Sequence, residues 1–387
     1  MSFNYKNYFY LFFVFVCLTM VADACKKSNE TYLNDDKLTI NLKWNKAYTT
    51  ETKQMVETGL LWSFSFLGAN LPMGSFNESK VWNNDIVTIN FNKLGFNIEA
   101  TTALSKLIAA FKLSEEYKKM GAIDIGRFIA LTLNSSNHYY AITGIAKTFH
   151  QFKTGKVFDS KQFLATNSSI SSHDRLIDLP DSNNLDYRKD AYVSNECEGK
   201  ISEGKNKITS FEVTEQMKNG QFRYAIYDTS GYLLTAANGA AGKPAKCLWC
   251  HESNIQTLFT NQVDEPGYYG AEQFKYIVSR NTITLNNYRN SLQSDIDFIK
   301  KQDHTQIELL YISFMETSAE RLSNEWGISV TEIQTLLAGI QTHDHDEFTF
   351  LKNLYYRNDI EKFAPFSSLR APDSARETSL YEPNLIH

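Results

Sequence analysis

The chain has 387 residues, of which 42% are apolar, 13% aromatic and 21% charged, and its formal net charge is −5 at pH 7. It is long enough for two or three domains with buried cores, and its aromatic content argues against extended disorder. The charge shows no basic excess, so the composition gives no support to a nucleic-acid partner.

The N-terminal segment has the pattern of an export signal. An apolar run at residues 8–21 has the length of a signal-peptide core and is short for a membrane span, which needs roughly 20 apolar residues. Small residues lead to Cys25, after which the chain turns polar. We therefore predict a lipoprotein-type signal peptide at residues 1–24, lipidation of Cys25 and a polar tether at residues 25–37. An ordinary signal peptide cut after Ala24 and a retained anchor helix are the alternatives, and all three place the rest of the chain outside the cytoplasm.

Residues 38–152 are predicted to be mostly helical, with no indication of their role. Leu104, Leu107, Ile108 and Phe111 recur at three- and four-residue steps, which is typical of the buried face of a helix. Two further apolar stretches in this region could be buried helices or strands, which periodicity alone does not separate.

Residues 153–270 are predicted to form a β-rich domain. Residues 168–190 are rich in turn formers and are expected to be an irregular loop. Residues 222–227 alternate as in a half-buried strand, and Asn219-Gly220 before them is a favoured two-residue hairpin turn, because both residues accept positive φ. A second turn, in the sequence DTSG, leads to another short strand, so the pattern predicts an antiparallel meander.

Residues 271–365 are predicted to be helical again. Ser329 and Glu332 have the spacing of a capping box, which predicts a helix from there through Leu337. Residues 366–387 read as an extended tail on the surface. The predicted fold class is therefore α+β: an antiparallel β-meander, flanked by mostly helical N- and C-terminal regions, carries the motif described next at its C-terminal end.

Cys247, Cys250 and His251 form a Cys-x-x-Cys-His motif just after the meander. A thioredoxin-like dithiol would open a helix after a parallel strand, and a zinc site would need two further ligands at comparable spacing. Here an antiparallel hairpin precedes the motif, and Cys197 lies fifty positions upstream of Cys247. Both interpretations are therefore weaker than a third, a covalently attached haem.

The same motif is the attachment site of c-type haem. Its two thiols add to the porphyrin vinyl groups, and the histidine next to them supplies the proximal ligand of the iron. Export through the predicted signal agrees with this chemistry, so we predict one covalent haem c on Cys247 and Cys250, with His251 on the iron. Cys197 then remains as a single structural thiol. Met315, the only downstream methionine, is the candidate sixth ligand, with core packing as its alternative.

The sequence GQFRYAIYDTSGYLLTAANGAAGKPAKCLWCHESNIQTLFT combines an aromatic strand, an acidic-glycine turn, a second short strand and the haem motif, with Leu258–Thr260 close behind. In this order, residues 205–262 resemble the β-sheet monohaem cytochromes, a family that includes the hydroxylamine-oxidising cytochromes with a lysine-crosslinked haem and the gas-binding cytochromes c′-beta. The resemblance implies that His251 is the proximal ligand, that the haem is five-coordinate and that its distal face is open to a small molecule. It also implies, for the catalytic branch, a crosslinking lysine on a preceding strand. The upstream candidates, none of which aligns with that role, are Lys205, Lys207 and Lys218.

Other side chains near the motif have ordinary interpretations. Trp249 is expected to pack against the porphyrin or the sheet. Lys243 and Lys246 flank the motif and could meet a haem propionate or an acidic partner, although solvated loop charges are the default. His343 and His345 are the only clustered histidines, and with the carboxylates around them they could bind a metal weakly, although a solvated polar turn is the ordinary interpretation.

The sequence therefore predicts a cell-envelope c-type cytochrome with one haem, lipid-anchored to a membrane and either periplasmic or on the outer membrane. It would act in electron transfer with a redox partner protein, or bind a small gaseous or nitrogenous ligand, and whether it is a haem oxidoreductase stays open. The alternative is a structural or interaction lipoprotein that carries a haem, or less favourably a CxxC redox dithiol, and catalyses nothing.

Overall fold

The computed structural model describes residues 38–166, 173–181, 191–204, 206–234, 244–257, 259, 262–375 and 381–386, and the structural statements below concern these residues. The regions predicted at residues 38–152, 153–270 and 271–365 lie within one compact unit that begins at Leu38. Predictions that fall outside the described residues are the signal peptide at 1–24, the lipidation site Cys25, the tether at 25–37, and those on Lys205, Lys243, Leu258 and Thr260.

The N-terminal region combines a small sheet with several helices. Its elements, in chain order, are β1 (Thr39–Lys43), α1 (Lys53–Phe66), α2 (Ser75–Ser79), β2 (Lys80–Asn83), β3 (Ile86–Asn90), α3 (Ile98–Leu113), α4 (Glu115–Met120), β4 (Ile123–Asp124), α5 (Ile125–Thr132), α6 (Ser136–Thr143) and α7 (Phe149–Lys153). The strands lie in the order β2-β3-β1-β4, with β1 antiparallel to β3 and parallel to β4. The sequence pattern does not reveal this sheet, because its strands have two to five residues and depend on their pairing.

The buried face of α3 is the one that the sequence pattern indicates. Leu104, Leu107, Ile108 and Phe111 are each at most 1% exposed, so the prediction of a buried helix face is confirmed. The helix begins where the side chain of Asn97 accepts a backbone N–H of the first turn at 2.8 Å. α3 packs against α6, and the residues just before α6, at 133–135, are buried.

Five antiparallel strands form the second sheet. They are β5 (Phe163–Ala165), β6 (Arg175–Asp178), β7 (Ala191–Glu198), β8 (Lys207–Gln216) and β9 (Phe222–Asp228), paired in sequence order. The predicted antiparallel meander is confirmed for these strands, and with it the α+β class, but the short strand predicted after the DTSG turn is wrong for its described residues, which form only isolated bridges at Tyr232 and Leu233. The predicted irregular loop at residues 168–190 is wrong for β6, where Arg175 lies opposite Glu196 of β7 and forms an ion pair with it at 3.0 Å. Cross-strand pairing, which composition does not show, makes this segment a strand.

The hairpin between β8 and β9 is confirmed, but its turn has three residues rather than the predicted two. The N–H of Met217 donates to the carbonyl of Gln221 at 2.7 Å, and Gly220 alone in the turn has a positive φ, of 81°. Asn219 keeps an ordinary backbone because its buried amide donates to two carbonyls at the C-terminal end of α1, at 2.8 and 2.9 Å. A long-range contact therefore decides the turn type.

The chain after β9 is again mainly helical. Its elements are α8 (Pro244–His251), α9 (Ala271–Ser291), α10 (Thr305–Met315), β10 (Glu316–Thr317), α11 (Ala319–Trp326), α12 (Val330–Leu336), β11 (Tyr355–Tyr356) and α13 (Arg357–Ile360). α10 packs against α1 and α5. A Cβ atom at Gly126 of α5 would lie 2.2 Å from the Cβ of Phe314, so only glycine permits this close approach. In the part of the chain that the structure describes, no helix is both long and apolar enough for a membrane crossing.

The predicted capping box opens α12. The hydroxyl of Ser329 accepts the N–H of Glu332, and the carboxylate of Glu332 accepts the N–H of Ser329 at 2.8 Å. The helix ends with Leu337 as its cap residue, so this prediction is confirmed.

The described part of the C-terminal tail is extended, and the expectation that it lies on the surface holds only for some of its residues, such as the exposed Arg370. Its described residues contain no helix or strand, and Phe366 within it is buried. Arg127 of α5 donates Nη1 to the Leu369 carbonyl at 2.7 Å, and Ser135 donates its hydroxyl to the Pro383 carbonyl at 3.1 Å. The tail is drawn inward because its carbonyls satisfy buried donors of the helices.

A buried cluster of charges joins the N-terminal and C-terminal regions. Arg127, Arg321 and Arg357, the arginine cluster, are at most 3% exposed and surround the ring of Phe314 at 4.1 to 5.4 Å. Their carboxylate partners, at 2.7 to 2.8 Å, are Glu116, Asp124, Glu325 and Glu361. Each buried charge therefore has a partner, which is the condition for keeping it in the interior.

Candidate functional site

The helix that carries the motif, α8, packs against β9 of the five-stranded sheet. Cys247, Cys250 and His251 lie on it, and His251 is its last residue. Directly afterwards, Glu252 adopts the left-handed conformation (φ 51°) and donates its N–H to the Leu248 carbonyl at 2.7 Å. A non-glycine residue in this conformation is uncommon, so surrounding contacts have to offset the cost of the turn that places His251.

Two side chains hold this turn. Tyr224 of β9 donates its hydroxyl to the Glu252 carbonyl at 3.0 Å. Arg289 of α9 donates Nε to the Gly220 carbonyl at 2.8 Å and Nη2 to the Ser253 carbonyl. Burial lowers the pKa of Arg289 to about 9, so its guanidinium stays charged at neutral pH. The β8–β9 hairpin and α9 therefore fix the position of the residues that follow His251.

The imidazole of His251 is packed but has one unsatisfied nitrogen. Its ring stacks on that of Tyr224, with centroids 5.9 Å apart and planes at 21°. Nδ1 is buried and makes no hydrogen bond within the described residues. Burial, together with the nearby Arg175 guanidinium, lowers the pKa of His251 to about 4. The imidazole is therefore neutral at neutral pH, which is the form that binds a metal.

A cavity of about 110 Å³ is lined by His251 and by one face of the sheet. Its polar lining includes Arg175 of β6 and Glu212 of β8, which form an ion pair at 3.5 Å, and Phe274 of α9 contributes to its apolar side. Burial raises the pKa of Glu212 to about 7, and repulsion from Glu196 adds to the increase. A carboxyl group that holds a proton near neutrality thus lies beside a fixed positive charge.

The cysteines are present as thiols, and their surroundings do not suit a redox dithiol. Burial raises the pKa of the Cys247 thiol well above its usual range, and the charges of Glu212 and Cys250 add to the increase. A thioredoxin-like dithiol requires the opposite, a thiol with a lowered pKa. Cys197 is buried at a bulge in β7, which is an ordinary position for a structural thiol.

The donor atoms of the site fit a c-type haem, but the cavity beside them is too small to hold one. Two thiols three residues apart precede a neutral imidazole on one helix, which is the donor set that the attachment chemistry needs. The 110 Å³ cavity, however, is well below the roughly 300 to 1,000 Å³ of small-molecule sites. A groove of about 1170 Å³ adjoins it, because Ile255 and Gln256 line both spaces. A macrocycle held by these donors would therefore have to extend beyond the small cavity.

The structure does not bring Met315 to His251. Met315 ends α10 and lines a separate cavity of about 270 Å³ together with His345. Trp249, which was expected to pack on the porphyrin or the sheet, makes an edge contact with Phe348 of the C-terminal region, with ring centroids 5.9 Å apart. The outer side of α8 is therefore tied to this region rather than exposed.

The described lysines near the motif do not line the His251 cavity. Lys207 is exposed at the first residue of β8, Lys218 is exposed in the hairpin turn, and neither is among the described residues that line the His251 cavity. Lys246 attracts the carboxylate of Glu212 and also acts on the Cys247 thiol, whose pKa it lowers slightly against the effect of burial. None of the described residues that line the His251 cavity is a lysine.

The side chains of the site that sequence reasoning missed come from four different elements: Arg175, Glu212, Tyr224 and Arg289 lie on β6, β8, β9 and α9. A signal existed for Tyr224, because the alternation in β9 places it on one face with Ile226. No local signal marks Arg175, which lies in a turn-rich stretch, and only strand register brings it to Glu212.

No protein-family model matches the chain, and no curated protein or solved structure is similar to it. Among the residues that the structure describes, no group of three or more His, Cys, Asp or Glu side chains is arranged to hold a metal ion. Function therefore has to be argued from the chemistry of the site itself.

Proposed function

We propose that this chain is a cell-envelope c-type haem protein with one haem, attached through Cys247 and Cys250 and bound at the iron by His251. The observation that carries the proposal is the motif helix itself. Its two thiols and its imidazole lie on one helix, the imidazole lines a cavity against the sheet, and Nδ1 of the imidazole is buried without a partner in the described residues. A buried polar atom without a partner calls for an explanation, and a group bound at this imidazole would provide one.

The chain's own residues would orient the ligand histidine. Tyr224 stacks on the ring of His251 and also binds the turn after it, while Arg289 holds the next part of that turn. These contacts limit rotation of the imidazole and fix the end of α8. Such surrounding contacts are what set the orientation of a metal ligand.

Arg175 and Glu212 would provide the polar groups of the ligand pocket. When bound, a haem supplies redox chemistry and an open coordination position. The guanidinium of Arg175 can donate hydrogen bonds to a small polar ligand or to a propionate, and Glu212 can hold or release a proton near neutral pH. Because Met315 lines a different cavity, the proposal favours binding of a small gaseous or nitrogenous ligand over a six-coordinate electron carrier.

The proposal includes export, since covalent attachment of haem occurs outside the cytoplasm. It also includes a lipid anchor at Cys25, which the sequence pattern of residues 1–25 supports. A redox dithiol is not favoured, because burial raises the pKa of Cys247 instead of lowering it. A haem lipoprotein without turnover stays the alternative, and carbon monoxide binding separates the two.

The test is to export the full chain in a bacterium that has the cytochrome c maturation machinery. We expect a covalent haem signal on a denaturing gel, a c-type reduced spectrum and a shift of that spectrum with carbon monoxide. The double variant Cys247→Ser/Cys250→Ser should lose the covalent haem, while Cys197→Ser, a matched cysteine control in β7, should keep it. Wild-type protein without haem, in cells that mature a control cytochrome, would overturn the proposal.

A further inference from the structure

The 270 Å³ cavity beside Met315 is a second, partly open space, and no described residue of the motif helix lines it. It is lined by the end of α10, by Glu316 and Tyr356 of the short β10–β11 ladder, by His345 and by residues 373–375 of the tail. Its volume is close to the lower limit of small-molecule sites, about 300 Å³. The cavity is therefore large enough for a small organic molecule and too small for a macrocycle.

His345 supplies a hydrogen-bond donor to this cavity. The residue is 9% exposed, and its Nδ1 accepts the N–H groups of Glu347 and Phe348, both at 3.1 Å. Because Nδ1 accepts two donors it carries no hydrogen, so the ring hydrogen lies on Nε2. This Nε2–H has no acceptor among the described residues, although the ring is nine-tenths buried. The expectation of a solvated histidine turn is therefore wrong for this imidazole.

Glu316 supplies the acceptor. One of its carboxylate oxygens accepts a hydrogen bond from Nε2 of His343 at 2.8 Å, and the ring of His343, which is 23% exposed, stacks on Tyr356 with centroids 3.9 Å apart. The other oxygen of Glu316 accepts no hydrogen bond in the described residues. Asp373 also lines the cavity, but its two carboxylate oxygens already accept hydrogen bonds, from Arg370 and from the N–H of Tyr381.

We infer that this cavity binds a small organic amine that also carries a hydroxyl or carboxylate group, no larger than a small amino acid. The ammonium group would donate to the available oxygen of Glu316, and the oxygen function would accept Nε2–H of His345. His345 is buried and Glu316 is half-buried, and both are held by their other contacts, so they are oriented before a ligand arrives. The inference is independent of haem, because neither residue lines the His251 cavity.

Binding of a ligand in this cavity would change the surroundings of Trp249 on the motif helix. The ring centroids of His345 and Phe348 are 5.1 Å apart, and those of Phe348 and Trp249 are 5.9 Å apart. A ligand that orders His345 therefore acts on a tryptophan two rings away. The fluorescence of Trp249, taken as the difference between wild type and Trp249→Phe, provides a second readout besides heat of binding.

The experiment is calorimetric titration of the full chain with ethanolamine and glycine, and with methylammonium, acetate and ethylene glycol as probes that carry only one of the two functions. We expect ethanolamine or glycine to bind more tightly than every single-function probe. His345→Asn should weaken binding by about tenfold or more, because asparagine keeps an acceptor for the two backbone N–H groups but has no donor at the position of Nε2. Glu316→Gln, which keeps the size and removes the charge, should have an effect of similar size.

Two further variants separate loss of the site from loss of the fold. Ala375→Leu fills the cavity without changing a polar group and should abolish binding, whereas Asp346→Asn, in the exposed part of the same turn, should leave it unchanged. Melting curves identify any variant that has unfolded. The inference is overturned if no amine probe binds the wild type, or if His345→Asn and Ala375→Leu, both folded, bind as the wild type does.

Discussion

Replacing Arg357 with methionine is expected to destabilise the protein by about 3–5 kcal/mol, because it breaks a buried ion pair and leaves the partner charge in place. The two Nη atoms of Arg357 donate to the two carboxylate oxygens of Glu325 at 2.9 and 2.8 Å. Its Nε donates to the Phe314 carbonyl at 2.9 Å, and its guanidinium lies 4.1 Å from the centre of the Phe314 ring. Methionine would occupy a similar volume and satisfy none of these acceptors.

The matched control is Arg370, which is also 2.8 Å from a carboxylate, that of Asp373, but whose side chain is 54% exposed. Arg370→Met should cost at most about 1 kcal/mol, because solvent screens such pairs. Thermal unfolding entropy is about 2.1 cal/mol/K per residue, so over about 350 residues Arg357→Met should lower Tm by roughly 4–7 °C. Arg370→Met should lower it by roughly 1.4 °C at most.

Melting of both variants and the wild type, followed by circular dichroism at one scan rate, measures this difference. Arg357→Lys should fall between them, because lysine keeps the charge without the two parallel hydrogen bonds. If Arg357→Met melts at the same temperature as Arg370→Met, the arginine cluster contributes no more than surface pairs and the reasoning is refuted.

Two further predictions concern an acid limb of stability and the β8–β9 turn. Although burial alone would raise it, the guanidinium groups of Arg357 and Arg321 lower the pKa of Glu325 from 4.5 to about 2. Glu325 therefore contributes roughly 3 kcal/mol to the free energy of unfolding above about pH 4.5, and this contribution is lost as the pH falls towards 2. Glu325→Gln should flatten the decline of Tm between about pH 5 and 3, and an unchanged slope would contradict this. Asn219→Ala should lower the free energy of unfolding in urea by about 1–3 kcal/mol, because two carbonyls at the end of α1 lose their buried donor. The exposed control Lys218→Ala should change it by no more than about 0.5 kcal/mol. Equal effects would show that the amide contacts do not matter.

Part of the site could be predicted from the sequence because its parts are close together in the chain. Cys247, Cys250 and His251 lie within five consecutive residues, and the alternation in β9 marks Tyr224 as a residue of one face; the helix that carries the motif is shown only by the structure. The position of Met315 could not be predicted from such patterns, because a buried methionine on a helix has the same sequence pattern whether it faces an iron or another cavity.

The sequence by itself determined the α+β class, the antiparallel meander, the buried face of α3 and the capping box of α12, because each depends on residues a few positions apart. The tertiary structure alone decided that residues 175–178 form a strand, that Arg175 meets Glu212, and that His345 is buried beside a cavity. It also decided the arginine cluster, which joins residues about 200 positions apart. Such contacts are selected by the free energy of the whole folded chain, so no local pattern of side chains encodes them.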